Sequence, residues 1–157
     1  MHFYKRIYVA VDGSRESDFA FDKAMAICKR NPGATLTAIH VLDKSYRMGM
    51  AEVADPYFLI ETAEMSERLI SDYKEKARVY GVDCDIQLKE GSPTSMLLKE
   101  VKGLREDDLV ICGSSNLGRI GRLLLGSVSN TLVNEAGCDV LVVRTPENGE
   151  IKKADQI

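Results

Sequence analysis

Concentrated positive charge is missing from this chain. Its 21 Lys and Arg against 24 Asp and Glu give a formal net charge of -3, with no basic tail or arginine-rich block. Nothing here supplies the dense phosphate neutralisation behind a general affinity for DNA or RNA. Long apolar runs are missing as well: none approaches the roughly 20 residues of a membrane span. The charged start Met1-His2-Phe3-Tyr4-Lys5-Arg6 leads straight into a strand instead of a signal-peptide core, and the expected location is the cytoplasm. Paired cysteines are the third absence. Cys28, Cys84, Cys112 and Cys138 stand apart among apolar neighbours with no C-x-x-C, which reads as reduced core thiols rather than a zinc site or disulfide frame. What is present, 157 residues of which 45% are hydrophobic, suits one globular domain with a full core. That domain is expected over residues 1–146, followed by a polar tail over 147–157.

Hydrophobic period divides the domain into alternating elements. Ile7-Tyr8-Val9-Ala10-Val11 is a continuous β-branched run closed by Asp12-Gly13-Ser14, the pattern of a strand buried on both faces. Helical spacing follows from Ser14, with Phe19, Ala20, Ala24 and Ile27 on one side, until Asn31-Pro32-Gly33 stops it. A second strand is expected over residues 35–42 and a long helix over 56–80, with Leu59, Ala63, Ile70, Tyr73, Ala77 and Tyr80 on its inner stripe. Residues 43–55 show no period. Residues 82–88 read as strand three, Gly91-Ser92-Pro93 opens a helix to about Val101, and residues 109–112 and 140–143 are strands four and five around one more helix. Strict alternation of this kind predicts a three-layer α/β/α sandwich on a five-stranded parallel sheet of order 3-2-1-4-5, Rossmann-like in plan. Ligands of such sheets gather at the carboxyl ends of the strands where the winding reverses. That brings together Asp12, residues 41–43 and Gly113, and sends Asp107-Asp108 to the opposite edge.

The densest signal is Gly113-Ser114-Ser115-Asn116, nine residues, then Gly126-Ser127, directly behind Leu109-Val110-Ile111-Cys112. A buried strand emptying into a Gly/Ser loop, followed by a helix start, offers main-chain N–H groups and the positive end of a helix dipole to an anion, most naturally phosphate. Asp12 carries two readings, a carboxylate for a ribose diol or a cap for the helix that follows. His40, with no second ligand at a metal spacing, reads as a packed strand histidine. The chain has no Gly-Lys-[Ser/Thr], no lysine within the motif and no G-x-G-x-x-G after strand one, which favours binding over phosphoryl transfer and argues against a dinucleotide dehydrogenase.

Together the Ile7–Ser14 stretch, Ala38-Ile39-His40-Val41, the glycine loop and Val140-Leu141-Val142-Val143-Arg144 resemble the universal stress protein family over nearly the whole chain. The ATP-binding members of that family carry G-x2-G-x9-G-[S/T]. Gly113, Gly126 and Ser127 match it, and Asn116 stands where the second glycine is expected, asparagine being the residue nearest to glycine in tolerating a left-handed backbone. The resemblance implies ATP, or another adenine nucleotide, with Asp12 on the ribose and the main chain around Val11 and Val41 on the adenine edge. Gly113, Asn116, Gly126, Ser127, Val128 and Ser129 would hold the phosphates. Ala10, Cys112, Asp43 and the loop arginines Arg119 and Arg122 complete the candidate set, and Asp12 with Asp43 could hold Mg²⁺ or Mn²⁺ through water. The resemblance also implies a homodimer paired through residues 140–143, with a further protein partner unnamed. Three functions follow: a nucleotide-dependent stress regulator in which residues 43–55 respond to ATP, a slow ATPase, and a dimeric interaction protein with a vestigial pocket.

Overall fold

The computed structural model describes residues 3–43, 56–114 and 125–146, with backbone alone for residues 56–61. Its elements run β1 (Arg6–Ala10), α1 (Arg15–Arg30), β2 (Thr35–Leu42), α2 (Pro56–Tyr80), β3 (Cys84–Glu90), α3 (Pro93–Val101), β4 (Asp108–Gly113), α4 (Ser127–Glu135) and β5 (Asp139–Val143). All strand pairs are parallel, and the order is β3-β2-β1-β4-β5, as the alternation predicts. The winding reverses between β1 and β4, which pair with Ile7 beside Leu109 and Val9 beside Ile111.

Period-two alternation sends each strand's side chains to two separate cores. Ile7, Val9, Val11, Leu36, Ala38, Leu109 and Ile111 pack beneath α1 and α2 with Phe21 and Tyr73, whose rings meet at 4.7 Å and 60°. On the other face Ile39, Val110 and Cys112 pack with Leu97 and Val101 of α3 and Leu132 of α4. Each large side chain buried this way contributes about 1.5–3 kcal/mol. The helical phase differs in two places from the sequence pattern. Phe21, which the pattern did not single out, is the wholly buried aromatic of α1, while Phe19 packs half-buried against the same core with the Arg15 guanidinium 5.9 Å over its ring. In α2 the exposed Ala63 gives its inner place to the buried Ser66.

Local chemistry sets the boundaries. Gly81, at φ +80, closes α2, and the Val82 N–H bonds back to the Ala77 carbonyl at 3.0 Å. Val82 therefore belongs to the helix cap, and β3 begins two residues later than the apolar pattern indicates. At the amino ends of β1 and β4, Lys5 pairs with Asp107 and Arg6 with the fully buried Asp108. Burial pushes the Asp108 carboxyl up, but bonds from Arg6 and the Arg105 N–H outweigh this and hold it below its ordinary value. This acidic pair is at the edge opposite the ligand end, as expected, and it anchors the sheet.

Residues 44–55, the loop at 115–124 and the tail at 147–157 lie outside the described residues. With them go Asn116, Arg119, Arg122, Leu59's side chain and the response assigned to residues 43–55. The four cysteines are free thiols. No helix among the described residues is long and apolar enough to cross a membrane.

Candidate functional site

A cleft of about 550 Å³ opens at the carboxyl ends of β1, β2 and β4, on the α3/α4 side of the sheet. Ala10, Ile39, Val41, Cys112, Pro93 and Leu97 form its apolar wall; Asp12, Ser14, Glu16 and Ser17 line one rim, and Gly113, Ser114, Gly126, Ser127, Val128 and Ser129 the other. Of the expected residues, Ala10, Val11, Asp12, Val41, Cys112, Gly113, Gly126, Ser127, Val128 and Ser129 are thus brought together. Asp43, exposed at the end of β2, is not among the lining residues. Among the described residues no three His, Cys, Asp or Glu side chains gather as a metal site.

On the Asp12 rim, the Asp12 carboxylate accepts a bond from the Ser14 N–H at 2.9 Å. The helix cap itself is Ser14, whose hydroxyl accepts from the Ser17 N–H at 3.2 Å. Asp12 therefore supports the capping residue without being the cap. Desolvation pushes its carboxyl up, yet bonds from Ser14 and Ser17, helped by the nearby His40, hold it below the ordinary carboxylate value. It remains exposed at the mouth of the cleft as an ionised acceptor.

Sequence reasoning missed Ser17, which is buried and has several partners. Its hydroxyl accepts the Asp12 N–H at 3.2 Å and lies 3.1 Å from the Tyr73 hydroxyl, which in turn donates to Asp18 at 2.7 Å. Burial, with the Asp18 bond, pushes the Tyr73 phenol upward, so it stays protonated as a donor. Ser17 falls three residues after a cap serine, the only sequence cue to its inward direction. Pro93 and Leu97 were also missed, because the approach of α3 to the cleft depends on the path of the β3–β4 crossover.

The opposite rim contains the open helix start. Gly126 is the N-cap of α4, in extended backbone at φ -68, and has no side chain with which to cap. The first N–H groups of a helix have no partner within it, so those of Ser127, Val128 and Ser129 face the cleft end unsatisfied by a cap. The Ser127 hydroxyl is exposed, whereas that of Ser129 is buried and donates to the Gly126 carbonyl at 3.2 Å. Ser114 departs from the simple loop reading: its N–H bonds to the Val143 carbonyl at 2.8 Å and extends the β4–β5 ladder.

Gly113 has a packing reason to be glycine. A β-carbon there would sit 2.6 Å from the Glu16 carbonyl oxygen and 2.7 Å from its carbon, so α1 can rest on β4 only if this position is bare. Cys112, in the wall, has its thiol pushed up to about 11 by burial, which keeps it neutral and apolar near pH 7. The lining holds two carboxylates, Asp12 and Glu16, and no Lys or Arg among the described residues. An anion here would rely on main-chain N–H groups and the helix dipole, not on side-chain charge.

The sequence and fold have counterparts among known proteins. A putative universal stress protein of Staphylococcus aureus (strain USA300) is 42% identical over 145 residues, spanning 92% of this chain and 86% of its own length. A solved universal stress protein in complex with cAMP is 26% identical, with TM-score 0.61 over 92% of this chain and 99% of that one. A universal stress protein family protein of Arabidopsis thaliana with AMP bound shares the fold at 22% identity, with TM-score 0.62 over 96% and 97% of the two chains. The family description that matches residues 3–144 is that of the universal stress proteins, and to that family this chain belongs.

Proposed function

We propose that the protein binds an adenine nucleotide, ATP foremost, in this cleft, and acts in a cytoplasmic stress response through nucleotide-dependent conformational or partner interactions more than through turnover. One observation carries the reading: the uncapped start of α4 faces Asp12 across a cleft at the sheet's switch point. Its volume falls within the range of small-molecule sites. The apolar wall would take the base, Asp12 the ribose hydroxyls, and the main chain of Gly113, Ser127, Val128 and Ser129, with the Ser127 hydroxyl, the phosphates; Asn116, assigned to the phosphates by family resemblance, lies outside the described residues. The cAMP held by the 26%-identical relative supports adenosine as the common recognised part.

With two carboxylates and no described cation in the lining, a triphosphate would bring its own Mg²⁺ or Mn²⁺, which Asp12 could hold through water. In this reading the protein is a homodimer paired through β5, whose partly exposed Val140, Leu141 and Val142 sit at the sheet edge. A monomer by light scattering at micromolar concentration would remove the dimer.

Nucleotide released by acid from freshly purified protein, with ATP calorimetry on wild type and Ser127→Ala, tests the site. Adenine nucleotide in the extract and an approximately tenfold weaker variant are expected, one charge-assisted bond being lost. An empty extract and no heat at millimolar ATP would overturn the reading.

A further inference from the structure

The β1–β2 ladder ends in an unusual way. Ala10 sits opposite Ile39, and the Val11 N–H bonds to the Ile39 carbonyl at 2.9 Å. Continued by one rung, a parallel ladder would place the Val41 N–H on the Val11 carbonyl. That rung is not formed among the described residues. The Val11 carbonyl instead meets Nδ1 of the buried His40 at 2.9 Å. A carbonyl can only accept, so Nδ1 carries the proton.

The other end of the same peptide group is held too, since the Asp12 N–H donates to the buried Ser17 hydroxyl. His40 follows Leu36 and Ala38 on the face toward α1 and α2, and Ser17 belongs to α1. Both side chains therefore draw this peptide away from the plane of the sheet. Val41, whose side chain packs with the opposite core, lines the cleft.

We infer that His40 and Ser17 are positioning residues for base selection: they clamp the peptide between Val11 and Asp12 out of the ladder and so keep the Val41 N–H open as a donor into the cleft. This rests on the nucleotide reading above. An open N–H complements adenine, whose N1 accepts, and opposes guanine, whose N1 carries a hydrogen. A donor left facing a donor is strongly penalised in a desolvated site. The same clamp fixes the backbone from which the Asp12 carboxylate projects.

Two measurements test it, one of them without nucleotide. Amide hydrogen exchange on the ligand-free wild type should show the Val41 N–H exchanging much faster than that of Ile39 inside the ladder. In His40→Leu the freed Val11 carbonyl should accept Val41 and slow its exchange. ATP and GTP titrations should show the preference for ATP falling about tenfold in His40→Leu. His40→Asn, which keeps an N–H near the Nδ1 position, should recover it. Should His40→Leu fail to fold, Ser17→Ala provides the second variant, with a smaller fall in the same ratio expected.

A slowly exchanging Val41 amide in wild type would overturn the inference, as would a folded His40→Leu with exchange and ATP/GTP ratio unchanged. Failure of wild type to bind any nucleotide would instead strike the parent reading and remove base selection with it. The exchange result would still decide whether the clamp holds the ladder open.

Discussion

Two helices begin at the same cleft and treat their N-termini in opposite ways. At the start of α1 the exposed donors are met from within: Ser14 takes the Ser17 N–H, Asp12 takes the Ser14 N–H, and Glu16 and Asp18 place negative charge in the first turn. The start of α4 has a glycine cap, no acid in its first turn and no side-chain acceptor. Each helix start has roughly half a positive charge. In α1 that charge is answered by the protein's own side chains, and in α4 no side-chain cap answers it. In the proposed reading, capping chemistry, and not proximity to the switch point alone, decides which helix start takes the anion.

The most severe way to break this arrangement is Gly113→Val, which drives a side chain into the Glu16 backbone beneath α1. A loss of about 3 kcal/mol in urea unfolding is expected from overpacking at this contact. A Gly126→Asp substitution would sharpen the contrast by giving α4 a cap of the kind α1 has. Its φ of -68 suits any residue. Stability should hold or rise by a few tenths of a kcal/mol, while ATP binding in calorimetry weakens by about 2 kcal/mol, near 30-fold, as carboxylate competes with phosphate. The opposite change, Ser14→Ala, strips the cap from α1 and should cost about 1 kcal/mol with little direct effect on the phosphate end. Equal losses of affinity from Ser14→Ala and Gly126→Asp would undo the distinction between the two starts.

The smallest effect concerns acid. Asp12 and Asp108 both have carboxyls held below their ordinary value. Their contribution to stability is complete above the unfolded-state value of about 3.9 and is lost as pH falls from there through the lower folded values. Urea midpoints between pH 6 and 3 should stay level in their contribution from these groups at the upper end and decline below about pH 4. Asp12→Asn should make that decline slightly shallower, slightly because the group is exposed. A steeper decline in the variant would contradict the direction given for Asp12.

The strands and their order were legible because a parallel sheet covered on both faces writes itself as short β-branched runs between helical periods, as at Ile7–Val11 and Leu109–Cys112. Part of the cleft was legible for a related reason: topology alone brings Asp12, Val41 and Gly113 to one end. Helical phase was less so. Phe19 and Phe21 sit in one apolar stretch and both reach the core, but Phe21 is the one buried completely, against Tyr73 of α2. The roles of Ser17 and His40 were hidden because they depend on the orientation of one peptide group, which no spacing records. The use of the Ser114 N–H by β5 was hidden likewise, since a loop motif does not show where the sheet stops.

The contact between Gly113 and Glu16 bears on how relatives of this chain should be judged. A glycine kept bare by a helix pressing on the sheet is retained by any relative with the same packing, whether or not its cleft holds a ligand. Its presence in a relative is then a record of architecture. Ser127, exposed and without a packing duty of that kind, has no such reason to persist, and its replacement in a relative is the better mark of a cleft that has fallen out of use.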